Sequence, residues 1–204
     1  MITSYNYEGK IKEEVLKNCL NELNVSENDL YIKEELQESG LFKSKKIKLI
    51  CYKKEDIIEY LKNYINDIAK GMNISINTEI RESEGYISII LVSDNNSILI
   101  GKEGRTLKAI ETILKQTLIV QTGLNIKVNL DVANYKGKKI KNFERQIKLI
   151  IKDVLKSHID VKLDPMNSYE RRIVHNLVSE NEFLSTESVG EEPKRAVVIK
   201  YNEK

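Results

Sequence analysis

Cysteine, histidine, proline and tryptophan are scarce in this chain: two cysteines, two histidines, two prolines and no tryptophan among 204 residues. Cys19 and Cys51 are isolated in sequence, one in a helical pattern and one in a strand pattern. Buried free thiols are the expectation for both, with a redox or metal role as the alternative. His158 and His175 stand without any Cys-x-x-Cys, His-x-x-x-His or phosphate-binding P-loop. No catalytic centre, metal or cofactor is therefore expected. Apolar runs are short, since Ile87 to Val92 is broken by Ser88 and bounded by Ser93 and Asp94, whereas a membrane span needs roughly 20 apolar residues. The start, Met1-Ile2-Thr3-Ser4-Tyr5, carries no basic and apolar leader. A cytoplasmic protein with no transmembrane segment is the expectation. Neither sign of charge dominates: 33 Lys and Arg face 31 Asp and Glu, for a net +2. Bulk charge thus names no partner, and the distribution must be read instead.

A hydrophobic content of 41% is enough for real cores, and the length allows one or two ordinary domains or three small ones. In the first segment, Ile11, Val15, Leu16, Leu20 and Leu23 recur at helical spacing. Leu30, Ile32 and Leu36 then alternate, as do Ile47, Leu49 and Cys51, with Glu38-Ser39-Gly40 as a turn between them. Residues 1–52 therefore read as strand, helix, strand, strand. The second segment opens on Ile57, Leu61, Ile65 and Ile68, one helical face, with Gly71 suited to the C′ position. Ile74 to Ile80 and Ile87 to Leu91 alternate around a turn at Glu82 to Gly85, a hairpin pattern. A short apolar helix, a longer helix carrying Leu107, Ile110, Leu114 and Leu118, a closing Gly123 and a strand from Ile126 to Val132 complete it.

Between those two helices lies Ile100-Gly101-Lys102-Glu103-Gly104-Arg105. Glycines permit positive φ and close approach of another backbone, and the start of a helix favours an anion. Lys102 and Arg105 add mobile positive charge. A phosphate-holding turn is one reading, and a tight corner with incidental charges is the other.

The third segment begins near Asn134-Tyr135. Ile140, Phe143, Ile147, Ile151 and Val154 form an apolar stripe, while Lys138, Lys141, Arg145, Lys148, Lys152 and Lys156 form a ridge on another face. Like charges at i,i+4 repel by a few tenths of a kcal/mol each, so either an anionic partner offsets the cost or the ridge is a solvated lysine face. Pro165 interrupts the chain, and Asn167 with Glu170 reads as a capping box opening a helix to about Val178. Two strands, Phe183 to Val189 and Lys194 to Tyr201, flank Gly190-Glu191-Glu192-Pro193. Arg171 and His175 are four apart and share a helical face, from which they would jointly contact one phosphate or stacked base. His158 reads as a cap on the end of the basic helix.

A Gly-x-x-Gly between two helices, after a hairpin and before a strand, resembles a K-homology domain of the type with its extra helix and strand at the N-terminal side. The resemblance implies phosphates against the GxxG backbone and bases in a groove lined by Ile98, Leu99, Ile100, Leu107 and Ile110, though core is the likelier role for Leu107 and Ile110. Lys102 fits the family, and Glu103 departs from it. Asp164-Pro165-Met166-Asn167-Ser168-Tyr169-Glu170-Arg171-Arg172-Ile173-Val174-His175 resembles the signature of the R-three-H domain, which binds single-stranded nucleic acid. With Leu130-Asp131-Val132-Ala133-Asn134-Tyr135-Lys136 as a junction and Ser39-Gly40-Leu41-Phe42 as an N-terminal turn, the whole chain resembles the bacterial Jag family, also called KhpB, the SpoIIIJ-associated proteins. Ser168 stands where proline is expected. A long charged linker after the first domain, common in the family, is missing.

The resemblance implies three small α+β domains in series: a Jag N-terminal domain at 1–52, a type II K-homology domain at 53–133 and an R-three-H domain at 134–204. It implies a non-catalytic binder of single-stranded RNA, with single-stranded DNA left open, acting as a post-transcriptional regulator linked to cell envelope or cell shape. The contacts would be Ile100, Gly101, Lys102, Glu103, Gly104 and Arg105, then Lys138, Lys141, Arg145, Lys148 and Lys152 along the ridge, then Arg171 and His175. The alternative is a scaffold that docks a membrane insertase or another K-homology protein through the Jag domain. A homodimer, or a heteromer with a small K-homology protein, is left open.

Overall fold

The computed structural model describes residues 1–37, 46–83 and 85–202. Its elements form three-stranded sheets alternating with helices, and the chain divides into two compact units, Met1–Asn134 and Tyr135–Lys204.

The first unit opens with β1 (Tyr5–Gly9), α1 (Lys12–Leu23), β2 (Leu30–Gln37) and β3 (Lys46–Lys53), paired antiparallel in the order β1-β3-β2. This is the strand-helix-strand-strand order that the periodicities predict; the expected turn at Glu38-Ser39-Gly40 and the Leu41-Phe42 that follow lie outside the described residues. α1 places Val15 and Cys19 on Leu30, Leu49 and Cys51. The two cysteines meet there, with the Cys19 thiol donating to Cys51 Sγ at 3.1 Å, both free and without solvent exposure. Burial pushes the Cys51 thiol up to about 12 and raises Cys19 as well. At neutral pH the pair stays in the unreactive thiol form, which agrees with the expectation of buried free thiols.

β3 passes into α2 (Lys54–Gly71) with no residue between them. α2 buries Ile57, Leu61, Ile65 and Ala69, and β4 (Ile76–Ser83), β5 (Tyr86–Ser93) and β6 (Lys127–Val132) follow in the order β4-β5-β6. β5 and β6 run parallel, so the connection between them must cross over the sheet. That crossover is α3 (Asn96–Ile100), the GxxG turn and α4 (Arg105–Thr122). Leu107, Ile110, Leu114 and Leu118 of α4 are buried, as are Ile87, Ile89 and Leu91 of β5 and Val128, Leu130 and Val132 of β6.

Two expectations are corrected here. Gly71 is the last helical residue rather than the left-handed one; that conformation belongs to Asn73, with φ 56°. Asn73 N–H donates to Lys70 O at 3.0 Å and Ile74 N–H to Ala69 O at 3.1 Å, the paired bonds of a Schellman ending built on the residue that best tolerates αL after glycine. Glu82 is not in a turn but in β4, paired with Ile87. Gly123 does close α4, with φ 67° and its N–H on Ile119 O at 2.8 Å.

The second unit holds α5 (Tyr135–Ser157), β7 (Val161–Lys162), α6 (Ser168–Ser179), β8 (Leu184–Val189) and β9 (Ala196–Tyr201), with sheet order β7-β9-β8. Ile147 and Val154 of α5 and Val174 and Val178 of α6 pack on Leu184, Val197 and Ile199. The Asn167 capping box forms as the sequence predicts: its Oδ1 accepts from Tyr169 N and Glu170 N at 3.0 Å, and Glu170 Oε2 accepts from Asn167 N at 3.2 Å. His158 closes α5 in the left-handed conformation, φ 58°, with its N–H on Val154 O at 2.8 Å and its ring stacked on Tyr201 at 4.0 Å. Among the described residues, no helix is long and apolar enough to cross a membrane.

Candidate nucleic-acid interface

The GxxG turn is built around a backbone state that only glycine adopts. Gly101 sits at φ 68°, ψ −177°, and a Cβ added there would lie 2.1 Å from Thr106 Oγ1 and 3.0 Å from Thr106 N. Gly104, at φ 85° and ψ 16°, is left-handed and caps α4, while Lys102–Gly104 forms a single 3₁₀ turn with Glu103 also left-handed. Three amides are consumed inside the corner. Gly101 N–H donates to Ser97 O at 2.8 Å, Gly104 N–H to Gly101 O at 3.3 Å and Arg105 N–H to Lys102 O. An anion approaching this loop would meet the exposed Lys102 and the positive end of α4 rather than those three amides.

Glu103, the departure from the family pattern, lies at the surface with its carboxylate 3.6 Å from the Arg105 guanidinium, and both side chains are largely exposed. A pair so open to solvent is screened and weak, so Arg105 is tempered rather than cancelled. Of the expected groove, Leu99, Leu107 and Ile110 are buried in the core. Ile98 is 41% exposed and Ile100 half-buried, so these two are the groove residues that keep apolar surface toward solvent.

Arg171 and His175 share one face of α6, but that face looks onto the protein. Arg171 is 8% exposed. Its Nη1 donates to Met166 O at 2.8 Å and to Glu192 Oε1 at 2.8 Å, tying the segment before α6 to the turn between β8 and β9. His175 is half-buried with Nδ1 against Thr186 Oγ1 and Nε2 3.2 Å from Ser188 Oγ, two hydroxyls of β8. Arg171 is thus engaged with the chain on either side of α6 and His175 is set against β8, while the adjacent Arg172 is exposed. Thr186, Ser188 and Glu192 were not legible as partners, because nothing local ties them to an RxxxH spacing.

Lys138, Lys141, Arg145, Lys148, Lys152 and Lys156 are all exposed along α5. Beside the start of this ridge is an open cleft of about 500 Å³, lined by Tyr135, Lys138, Lys139, Asn142, Phe143 and Gln146 of α5 and Glu170 of α6. Its spacing of three and four residues is visible in the sequence, but amides among lysines carry no charge signal to single them out.

A family model for the KhpA/KhpB KH domain matches residues 58–132, and one for the R-three-H domain matches residues 140–201. The fold and these matches define a protein that carries a K-homology domain and an R-three-H domain in series. The chain is 34% identical over 142 residues to the RNA-binding protein KhpB of Clostridium symbiosum, covering 70% of this chain and 63% of that protein. To the Bacillus subtilis protein of the same name it is 28% identical over 199 residues, 95% of this chain and 96% of the relative. To that of Streptococcus pneumoniae serotype 2 it is 23% identical over 174 residues, 85% of this chain but only 52% of the relative. Both family-model matches and the relatives named RNA-binding protein KhpB thus fall on the same two domains, and the likeness to those relatives extends over most of the chain.

Proposed function

We propose that this protein binds single-stranded RNA without catalysis, and that it does so through the GxxG turn of the segment 53–133 and the basic face of the segment 134–204. The observation that carries the reading is the glycine-only corner at Gly101, which presents Lys102 at the start of α4 inside a region matched by the KhpA/KhpB KH domain. The printed names of the relatives, RNA-binding protein KhpB, support it. Two weak contacts on one chain strengthen each other, by about 10² to 10⁴ where geometry permits both. Post-transcriptional regulation connected to the cell envelope is the role this activity would serve, and docking of a protein partner belongs to the N-terminal segment 1–52, which carries no GxxG and no basic stripe.

The test turns on Gly104 rather than Gly101. Gly101→Asp would collide with Thr106 and confound folding with binding, whereas aspartate tolerates the left-handed state that Gly104 holds. Gly104→Asp with Lys102→Glu is expected to weaken single-stranded RNA binding about tenfold or more, the loss of a charge-assisted contact, at an unchanged far-UV spectrum. Full retention of affinity removes the GxxG turn from the interface.

A further inference from the structure

We infer that the cleft on the first three turns of α5 is a base-reading subsite, which takes one unstacked nucleobase of single-stranded RNA. The inference rests on the RNA-binding reading and adds a place where sequence is sensed. Three observations carry it. The lining is aromatic in part: Tyr135 and Phe143, each partly covered, line a cleft of about 500 Å³, Phe143 while also packing on the core of the second unit, and every base has a face that stacks on aromatic rings. The rim is amide: Asn142 and Gln146 are exposed one helical turn apart, and each side chain offers a carbonyl acceptor and an NH₂ donor to a base edge. The flank is cationic: Lys138 belongs both to the cleft and to the ridge that continues through Lys141 and Arg145, so a strand following the ridge brings its bases past the rings.

Glu170 gives the cleft a preference. It lines the cleft, and one of its carboxylate oxygens accepts the Asn167 N–H at 3.2 Å, which leaves the other oxygen to meet a base. A carboxylate only accepts hydrogen bonds, so it suits the exocyclic amines of adenine, cytosine and guanine, whereas uracil offers it a single N3–H flanked by two repelling carbonyls. The subsite therefore favours amino-bearing bases over uracil.

The full-length chain is titrated with labelled short oligo(A), oligo(C) and oligo(U) by fluorescence anisotropy. Wild type is expected to bind oligo(A) or oligo(C) about tenfold more tightly than oligo(U). Asn142→Ala with Gln146→Ala is expected to weaken oligo(A) and oligo(C) binding several-fold while leaving the salt slope unchanged, since neither amide carries charge. Both positions are exposed on a helix, where alanine is the best helix former, so the fold is kept. Glu170→Gln preserves the capping box and is expected to raise oligo(U) relative to oligo(A). Lys138→Glu should weaken all three oligomers alike. A double alanine variant that binds oligo(A) and oligo(C) as tightly as wild type, or a Glu170→Gln variant that keeps the wild-type preference, overturns the subsite while RNA binding stands; a wild type that binds none of the oligomers overturns the RNA-binding reading itself.

Discussion

At the scale of single residues, the informative case is Arg171. Its spacing from His175 is what the sequence offers, and that spacing does put both on one helical face. Which way the face looks depends on Met166, Thr186, Ser188 and Glu192, which reach it from three other stretches of chain. Removing the guanidinium would leave Met166 O without its donor and Glu192 without its ion pair. We expect Arg171→Ala to destabilise the second unit by about 1.5–3 kcal/mol, the range for hydrogen bonds to charged groups. Urea unfolding followed by circular dichroism measures it. A double-mutant cycle with Glu192→Ala should show strong coupling, since the two act through one contact. An Arg171→Ala protein as stable as wild type, with RNA binding lost, would instead return Arg171 to the role of a direct contact.

Elements were legible wherever one residue's chemistry suffices to define an end. Asn167 with Glu170 marks the start of α6 because the capping box is complete within four residues. Gly71 misled because a helix end can use the next suitable residue, and Asn73 supplied the left-handed state two positions on. β7 escaped notice because two residues have no period, and its existence depends on pairing Val161 and Lys162 with Ile199 and Val198 of β9. The α5 ridge is the element whose function can be measured most directly. Each phosphate neutralised on a single strand contributes about 0.7 to the slope of log K against log salt. Replacing Lys141, Arg145 and Lys148 with glutamine should therefore reduce that slope by up to about 2, with little change in melting temperature because all three side chains are exposed. An unchanged slope would make the ridge a solvated lysine face.

At the scale of the molecule, the sequence shows three patterned segments, yet the first two fold into one compact unit. The direct passage from β3 into α2 hints at this, but the contacts that weld the unit come from side chains far apart in sequence. Lys54, the first residue of α2, bonds Glu82 of β4 at 2.6 Å and lies 5.3 Å from the centre of the Tyr31 ring on β2. Lys33 of β2 reaches Gly123 at the end of α4, where an added Cβ would stand 2.9 Å from its Nζ. Burial, reinforced by the Glu82 charge, pushes the Tyr31 hydroxyl up from an ordinary value of 10.0 to about 12. A group whose folded value is raised gives stability that is complete below its unfolded value and is lost as pH rises through the folded one. For Tyr31 that window runs from about pH 10 to 12, and Cys51, raised from 9.0 to about 12, acts in the same direction from a lower onset. Wild-type urea midpoints should thus fall as pH rises from about 9 to 11. Tyr31→Phe removes one of these titrations while keeping the ring under Lys54, so its midpoint should fall less steeply over the same range. A wild type and variant with parallel pH profiles would mean that Tyr31 ionises as freely in the folded unit as in the unfolded chain, and that its hydroxyl is not buried where β2, α2 and β4 meet.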